Sequence, residues 1–337
     1  MKKSWLILLC LVFGFTAVAV SAPIKVVLVT DIGGLGDKGF NDGCWLGVQK
    51  AVKDFGVKAK VIQSYEQEDY VPNITNAAEH GDVVMAAGFL MTDAMAKVAP
   101  MYPKKHFIIV DTVVKAPNVA SFLFKEQEGA FLAGMLAAAV TKKGVVGYVG
   151  GMKIPPVIRF AVGYEAGVRT YCAITGKKVK VIGSYTGTFN DAAKGKAAAM
   201  SLFGQGADIV FQIAGQTGLG VIEAAKEKGK GYFAIGVDLN QDAIAPGRVL
   251  TSVLKRVDVA AYLGIKMVVE GKFKGGIYEL GLKENGVGLT DMKYTRKYIP
   301  KKVLAMIEKA KKAIIEGKLV VPSNEDELKK FKPPKSL

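Results

Sequence analysis

Lys25-Val26-Val27-Leu28-Val29-Thr30-Asp31-Ile32-Gly33-Gly34-Leu35-Gly36-Asp37-Lys38-Gly39-Phe40-Asn41 decides the architecture. Its opening residues are mostly β-branched or apolar and read as a buried strand. Asp31 ends that strand, glycines turn the chain, and Phe40 opens a stretch with helical spacing that runs to residue 55. A strand passing through a loop into a helix is the first step of a βα unit, and open α/β sheets hold their ligands at such loops. A flat ring can stack on Phe40 while Asp31 and Asn41 hydrogen-bond its polar edge.

The same alternation continues along the chain. Strands are expected at 25–30, 58–63, 82–86, 106–110, 119–122, 145–149, 179–183, 208–212, 232–236, 250–254 and 277–282. Helices are expected near 39–55, 70–79, 92–100, 126–141, 158–174, 191–204, 218–228, 258–271 and 300–316. The series is too long for one sheet. It breaks at Thr141-Lys142-Lys143-Gly144, and Val145-Val146-Gly147-Tyr148-Val149-Gly150-Gly151 starts a second round with another strand running into glycines. We read an α/β fold of two doubly wound lobes with late segments crossing between them. Lobe 1 is assigned 24–141 plus 256–272, lobe 2 is assigned 145–254 plus 277–320, and the polar, proline-bearing 321–337 is a surface tail.

Residues 1–22 read as a cleavable secretory signal: Lys2 and Lys3 precede an uncharged, apolar Ser4–Val20, and Val20-Ser21-Ala22 offers small residues for cleavage. The competing reading is a retained anchor, because the apolar run falls only slightly short of the roughly 20 residues a spanning helix needs. Cys10 lies inside that run and not at a cleavage point, so no lipid anchor is expected. The mature chain is expected to be soluble and periplasmic or extracellular.

The formal charge of +16 invites a nucleic-acid or membrane partner. The lysines fall in scattered pairs (Lys104-Lys105, Lys142-Lys143, Lys177-Lys178, Lys311-Lys312), which describes a solvated surface; no nucleic-acid partner is expected. Past the signal only Cys44 and Cys172 remain, and free thiols are preferred to a disulfide. Two histidines, His80 and His106, and no Cys/His cluster leave no visible ligand set for a transition metal.

Gly34-Leu35-Gly36-Asp37-Lys38-Gly39 matches the dinucleotide motif G-x-G-x-x-G literally. The glycines begin too far past the strand, Asp37 and Lys38 are bulky where a pyrophosphate would approach, and export removes the chain from the cytosolic dinucleotide pool. No cofactor is expected. Phe189, in Thr188-Phe189-Asn190-Asp191, occupies the equivalent strand-to-helix loop of the second lobe, so two rings could sandwich a base. Core packing is the rival reading for each ring. Asp111, Asp238 and Lys255 also end strands, where a carboxylate can bond hydroxyls or an amino group, or simply cap the next helix. Gly215-Gln216-Thr217-Gly218 could turn backbone N–H groups toward a ligand.

With these residues assembled, the chain resembles the basic membrane protein family of ABC-transporter substrate-binding proteins, in its purine-nucleoside-binding group. Thr30-Asp31 with Asp37-Lys38-Gly39-Phe40-Asn41 looks like the family's opening block, with Gly39 in place of the usual serine. Glu128-Gly129-Ala130-Phe131-Leu132-Ala133-Gly134, Val149-Gly150-Gly151-Met152, Gly163-Tyr164-Glu165-Ala166-Gly167, Ala214-Gly215-Gln216-Thr217-Gly218, Gly236-Val237-Asp238 and Asn285-Gly286-Val287-Gly288-Leu289 are similar to later blocks. The resemblance implies a type I periplasmic-binding-protein fold, two Rossmann-like lobes joined by crossover strands. It implies Phe40 and Phe189 as base-stacking pair, Asp31, Asn41 and Asp111 as base-edge contacts, and Asp238 and Lys255 as ribose contacts.

The expectation is therefore a monomeric binding protein, not an enzyme, that captures a purine nucleoside between its lobes and delivers it to a membrane ABC permease. A free purine base or a flavin are alternative ligands. A ligand sensor shares the fold, and a secreted nucleoside hydrolase is the rival from another class. The hydrolase would need a clustered acid set or a general base beside a water site, whereas the acids here are spread over separate strand ends.

Overall fold

The computed structural model describes residues 22–337, so the expected signal lies, but for its last residue, outside the described residues. The first lobe opens with β1 (Lys25–Val29), α1 (Phe40–Phe55), β2 (Lys58–Ile62), α2 (Tyr70–His80), β3 (Val83–Ala86), α3 (Thr92–Val98), β4 (His106–Val110) and β5 (Val119–Phe124). After α4 (Glu126–Val140) come β6 (Val145–Gly150), α5 (Pro155–Thr175), β7 (Lys180–Tyr185), α6 (Ala192–Gly204), β8 (Ile209–Ile213), α7 (Gly215–Lys228), β9 (Phe233–Asp238) and β10 (Val249–Lys255). The chain ends through α8 (Val257–Val269), β11 (Gly276–Leu280), β12 (Val287–Leu289), α9 (Lys301–Ile315) and α10 (Glu325–Lys330).

Two six-stranded sheets result, ordered β11-β5-β4-β3-β1-β2 and β12-β10-β9-β8-β6-β7. The orders correspond place by place, so β6 stands where β1 does and β9 where β4 does. Neighbours are parallel except β12 on β10. Central strands such as β3 (Val-Val-Met-Ala) and β8 (Ile-Val-Phe-Gln-Ile) are buried throughout, as expected where helices cover both faces of a parallel sheet. The edge strands β2 and β7 are partly exposed and carry Lys58, Lys60 and Lys180, which discourages pairing with another chain.

The lobe boundaries differ from those read in the sequence. Helix α4 packs on α5 of the second lobe, not in the first, and β11 adds in parallel to β5 of the first sheet, not to the second. The cause is the correspondence of the sheets. β5 and β10 hold equivalent places, and each passes the chain to a helix on the opposite lobe, α8 lying against α1. The third crossing joins β11 to β12. Periodicity locates an element but does not choose between two equivalent sheets.

The α4–α5 contact also explains part of the glycine pattern. A Cβ on Gly134, Gly163 or Gly167 would lie 2.0 to 2.3 Å from a carbonyl oxygen of the facing helix, so only glycine permits this approach. The tail is not a free extension: α10 docks with Leu328 buried, Lys153 pairs with Glu325 at 2.9 Å, and Arg169 Nη1 donates to the Leu328 carbonyl at 3.1 Å. Cys44 is buried, Cys172 half-buried, and both are free thiols. No described helix is long and apolar enough to cross a membrane.

Candidate functional site

The carboxyl ends of the two sheets face each other across a narrow cleft. Asp31, Phe40, Asn41, Asp111, Phe189, Gly215, Asp238 and Lys255 all line it. The structure thus brings these eight residues together, whereas Gln216, Thr217 and Gly218 do not line the cleft.

The β1–α1 loop is held by its own acids. Asp37 accepts the backbone N–H groups of Gly39, Asn41 and Asp42 at 2.9, 2.8 and 3.1 Å and so fixes the start of α1. Phe40 is thereby set at the cleft edge. Asn41 Nδ2 donates to Asp31 Oδ1 at 2.8 Å and to Asp37 Oδ2 at 3.3 Å, while its Oδ1 accepts from the Asp31 N–H at 3.3 Å. Both amide hydrogens of Asn41 are therefore engaged within the loop, and its direct effect is to orient Asp31. Asp31 Oδ1 also accepts from the Gly33 N–H at 2.8 Å. These bonds fall on one oxygen, which leaves Oδ2 for the cleft. Burial pushes the Asp31 carboxyl up to about 6, against the pull of Asn41 and the Gly33 N–H.

Across the cleft, Phe189 sits over Gly151, where a Cβ would come within 2.3 Å of the ring. Its carbonyl accepts from the Thr217 N–H at 3.1 Å. The amino end of α7 thus anchors the Phe189 loop, and that N–H is not available to a ligand. The lobes touch directly: Gln241 Nε2 donates to the Lys38 carbonyl at 3.0 Å.

Asp111 and Asp238 end β4 and β9, equivalent strands, and both have left-handed backbones, with φ of 70° and 64°. Lys255 Nζ lies 2.6 Å from Asp111 Oδ2 and 3.2 Å from Glu126 Oε1. Burial opposes the charge on Lys255, but Asp111, Glu126 and Asp238 outweigh it and hold the ammonium above the ordinary lysine range. Burial raises Asp111, with Lys255 pulling it back, and pushes Asp238 up to about 7. Among the lining residues four aspartates face one lysine, a balance that disfavours an anionic ligand.

The sequence reading missed the apolar wall of Leu90, Ile154, Val157, Phe160, Ile213 and Ala214. One signal was available. α5 follows β6, the counterpart of β1, so its first turns had to face the cleft as those of α1 do. Glu126 and Arg159, behind Lys255, gave no such sign.

Residues 24–325 match the family described as Bmp, ABC transporter substrate-binding protein PnrA-like. The chain belongs to this family. Bmp proteins are extracytoplasmic substrate-binding proteins of ABC importers, which implies a small-molecule ligand and a membrane permease as partner. An uncharacterized lipoprotein of Pyrococcus horikoshii is 42% identical over 280 residues, covering 80% of this chain and 69% of that one. The ABC transporter nucleoside-binding protein BmpA of Lactococcus lactis is 34% identical over 330 residues, 91% of this chain and 92% of the relative. Among solved structures, an ABC transporter solute-binding protein from Aeropyrum pernix superposes with a TM-score of 0.86 at 34% identity, over 91% of this chain and 96% of its own. The two-lobed architecture is that of type I periplasmic solute-binding proteins.

Proposed function

We propose that the cleft captures a purine nucleoside outside the cytoplasm and delivers it, chemically unchanged, to an ABC importer. The observation that carries this reading is the pairing of Phe40 and Phe189, one ring from each lobe, on a cleft whose carboxylates outnumber its cations. A planar base suits the rings. Its N–H groups and two ribose hydroxyls suit Asp31, Asp111 and Asp238 as acceptors, with Lys255 as donor. A nucleotide would bring phosphate charge to this acidic lining. The name of the Lactococcus relative agrees with a nucleoside.

Native mass spectrometry of the purified protein should show a co-purified nucleoside. Calorimetry should then rank adenosine, guanosine and inosine above their free bases, flavins and monophosphates. Saturation at a hundredfold excess over Kd should stabilise the fold by about 2.7 kcal/mol, and scattering should show a more compact molecule because both lobes contact the ligand. Tightest binding by a flavin or a free base would overturn the ligand assignment. Release of free base and ribose at a rate abolished by Asp31→Ala would replace transport by hydrolysis. The lipoprotein name of the Pyrococcus relative counts against the expected absence of a lipid anchor. Intact-mass measurement of the mature amino terminus distinguishes a free chain from a lipid-modified one.

A further inference from the structure

Behind the cleft, four buried or half-buried charges alternate in sign: Asp111, Lys255, Glu126 and Arg159. Lys255 is 2% exposed and lies under three rings, 5.0, 5.4 and 5.6 Å from the centroids of Phe40, Phe124 and Phe160. Glu126 is wholly buried and is the first residue of α4, where the helix dipole favours a carboxylate. Arg159 clasps it, Nε on Oε2 at 2.5 Å and Nη2 toward Oε1 at 3.3 Å. Asp111 Oδ1, in contrast, is buried without a hydrogen-bond partner.

An ammonium has three donors and faces two acceptor carboxylates here. With Asp111 alone, it would be drawn onto both Asp111 oxygens. Glu126 pulls it to one side, so that Asp111 is bonded only through Oδ2. A buried acceptor left open on the cleft wall is costly unless a ligand fills it.

We propose that Glu126, clamped by Arg159, is a positioning residue for ligand binding, whose charge draws the Lys255 ammonium toward itself and so keeps Asp111 Oδ1 open as an acceptor for the ligand. The inference rests on the cleft proposed above as the ligand site, but not on the identity of the ligand. Arg159 stands on α5 of the second lobe and Asp111 just after β4 of the first, with Lys255 and Glu126 at two of the three crossings. The chain of charges therefore joins the cleft to the points where the lobes are linked.

The test uses the mature protein with Glu126→Gln, which keeps volume and a carbonyl but removes the charge. A second variant, Glu126→Gln with Arg159→Gln, leaves no uncompensated guanidinium and guards against misfolding. Without ligand, the 15N–1H signal of the Lys255 ammonium should shift in both variants. With adenosine, guanosine and inosine as probes, calorimetry should show a loss of about ten- to a hundredfold in affinity. In a Lys255→Met background, Glu126→Gln should cost nothing further, because the residue acts through Lys255. An unmoved ammonium signal would overturn the proposal, as would an equal affinity loss with and without Lys255. If the wild type bound none of the three nucleosides, the nucleoside reading would fall, while the ammonium signal would still decide the role of Glu126.

Discussion

Asp111 and Asp238 are built alike and behave differently. Each ends an equivalent strand, each has a left-handed backbone that aspartate tolerates better than most residues, and their exposures are 7% and 6%. Asp111 is locked to Lys255 at 2.6 Å. Asp238 has no salt bridge among the described residues, and burial leaves it at about 7. The twofold repeat of the fold delivers a carboxylate to each side of the cleft. The third residue, Lys255, then breaks the symmetry. One carboxylate is tied into the scaffold through Oδ2 while its Oδ1 stays unpaired, and the other carries no such tie among the described residues.

The largest expected effect lies on the scaffold side. Asp111→Ala removes a partner from a buried ammonium and should destabilise the protein by about 3–5 kcal/mol, read by urea denaturation. Asp238→Asn should do the reverse in the ligand-free protein. Between the unfolded carboxyl's pKa and the folded value of about 7, the native state holds a proton that the unfolded state has lost. Stability therefore falls as pH rises through that window. Asp238→Asn should remove the fall, stabilising the empty protein by roughly 2–4 kcal/mol at pH 8 and hardly at all at pH 4. A similar loss of stability in both variants would mean that Asp238 is as structural as Asp111. Ligand binding should follow the opposite course with pH. Asp31 and Asp238 are stronger acceptors when ionised, so affinity should drop as pH falls from 8 to 5.5, and Asp238→Asn should flatten much of that drop in calorimetry. The same variant should weaken nucleosides far more than free bases, since a base does not reach a sugar contact.

Much of this arrangement is legible in the sequence because strand-end residues are local features. Asp31, Asp111, Asp238 and Lys255 each close an apolar run, and Phe40 and Phe189 each sit in a loop between a strand and a helix. What could not be read depends on contacts between distant segments. Glu126 and Arg159 are 33 positions apart, and Gln241 meets Lys38 over 203 positions. β12 has three residues, too few for any alternation to show. The allegiance of α4 and β11 is decided by topology, as two sheets of the same winding accept the same patterns. Leu328 is the one buried residue of α10, within a charged stretch, so the composition of the tail concealed its docking.

The two rings give the next effect in size. Phe40 also lies over Lys255, at 5.0 Å, whereas Phe189 has no such charge beside it among the described residues. Loss of either face of a base sandwich should cost on the order of 1–3 kcal/mol, a weakening of roughly 5- to 150-fold. Phe40→Ala should sit at the upper end because it also bares Lys255. Calorimetry showing unchanged affinity in both variants would return the rings to the core.

The smallest effect tests the comparison most directly, at Gly39. A Cβ there would lie 3.6 Å from Asp238 Oδ2 and 3.7 Å from Gln241 Nε2, ordinary contact distances. Serine therefore fits, and its hydroxyl comes within reach of the unpaired carboxylate from the opposite lobe. Gly39→Ser should give Asp238 a donor, as Lys255 does for Asp111, and make the two carboxylates more alike. A hydrogen bond to a charged acceptor favours the ionised form, so Asp238 should titrate below its present value of about 7. The bond bridges the lobes, so the empty protein should also spend more time closed, gaining about 1 kcal/mol. NMR titration of the Asp238 carboxyl carbon and solution scattering of the empty protein read the two consequences separately. A lowered pKa with unchanged compactness would confine the serine to local electrostatics. An unmoved carboxyl would show that Asp238 is kept apart from the first lobe by more than the missing side chain at Gly39.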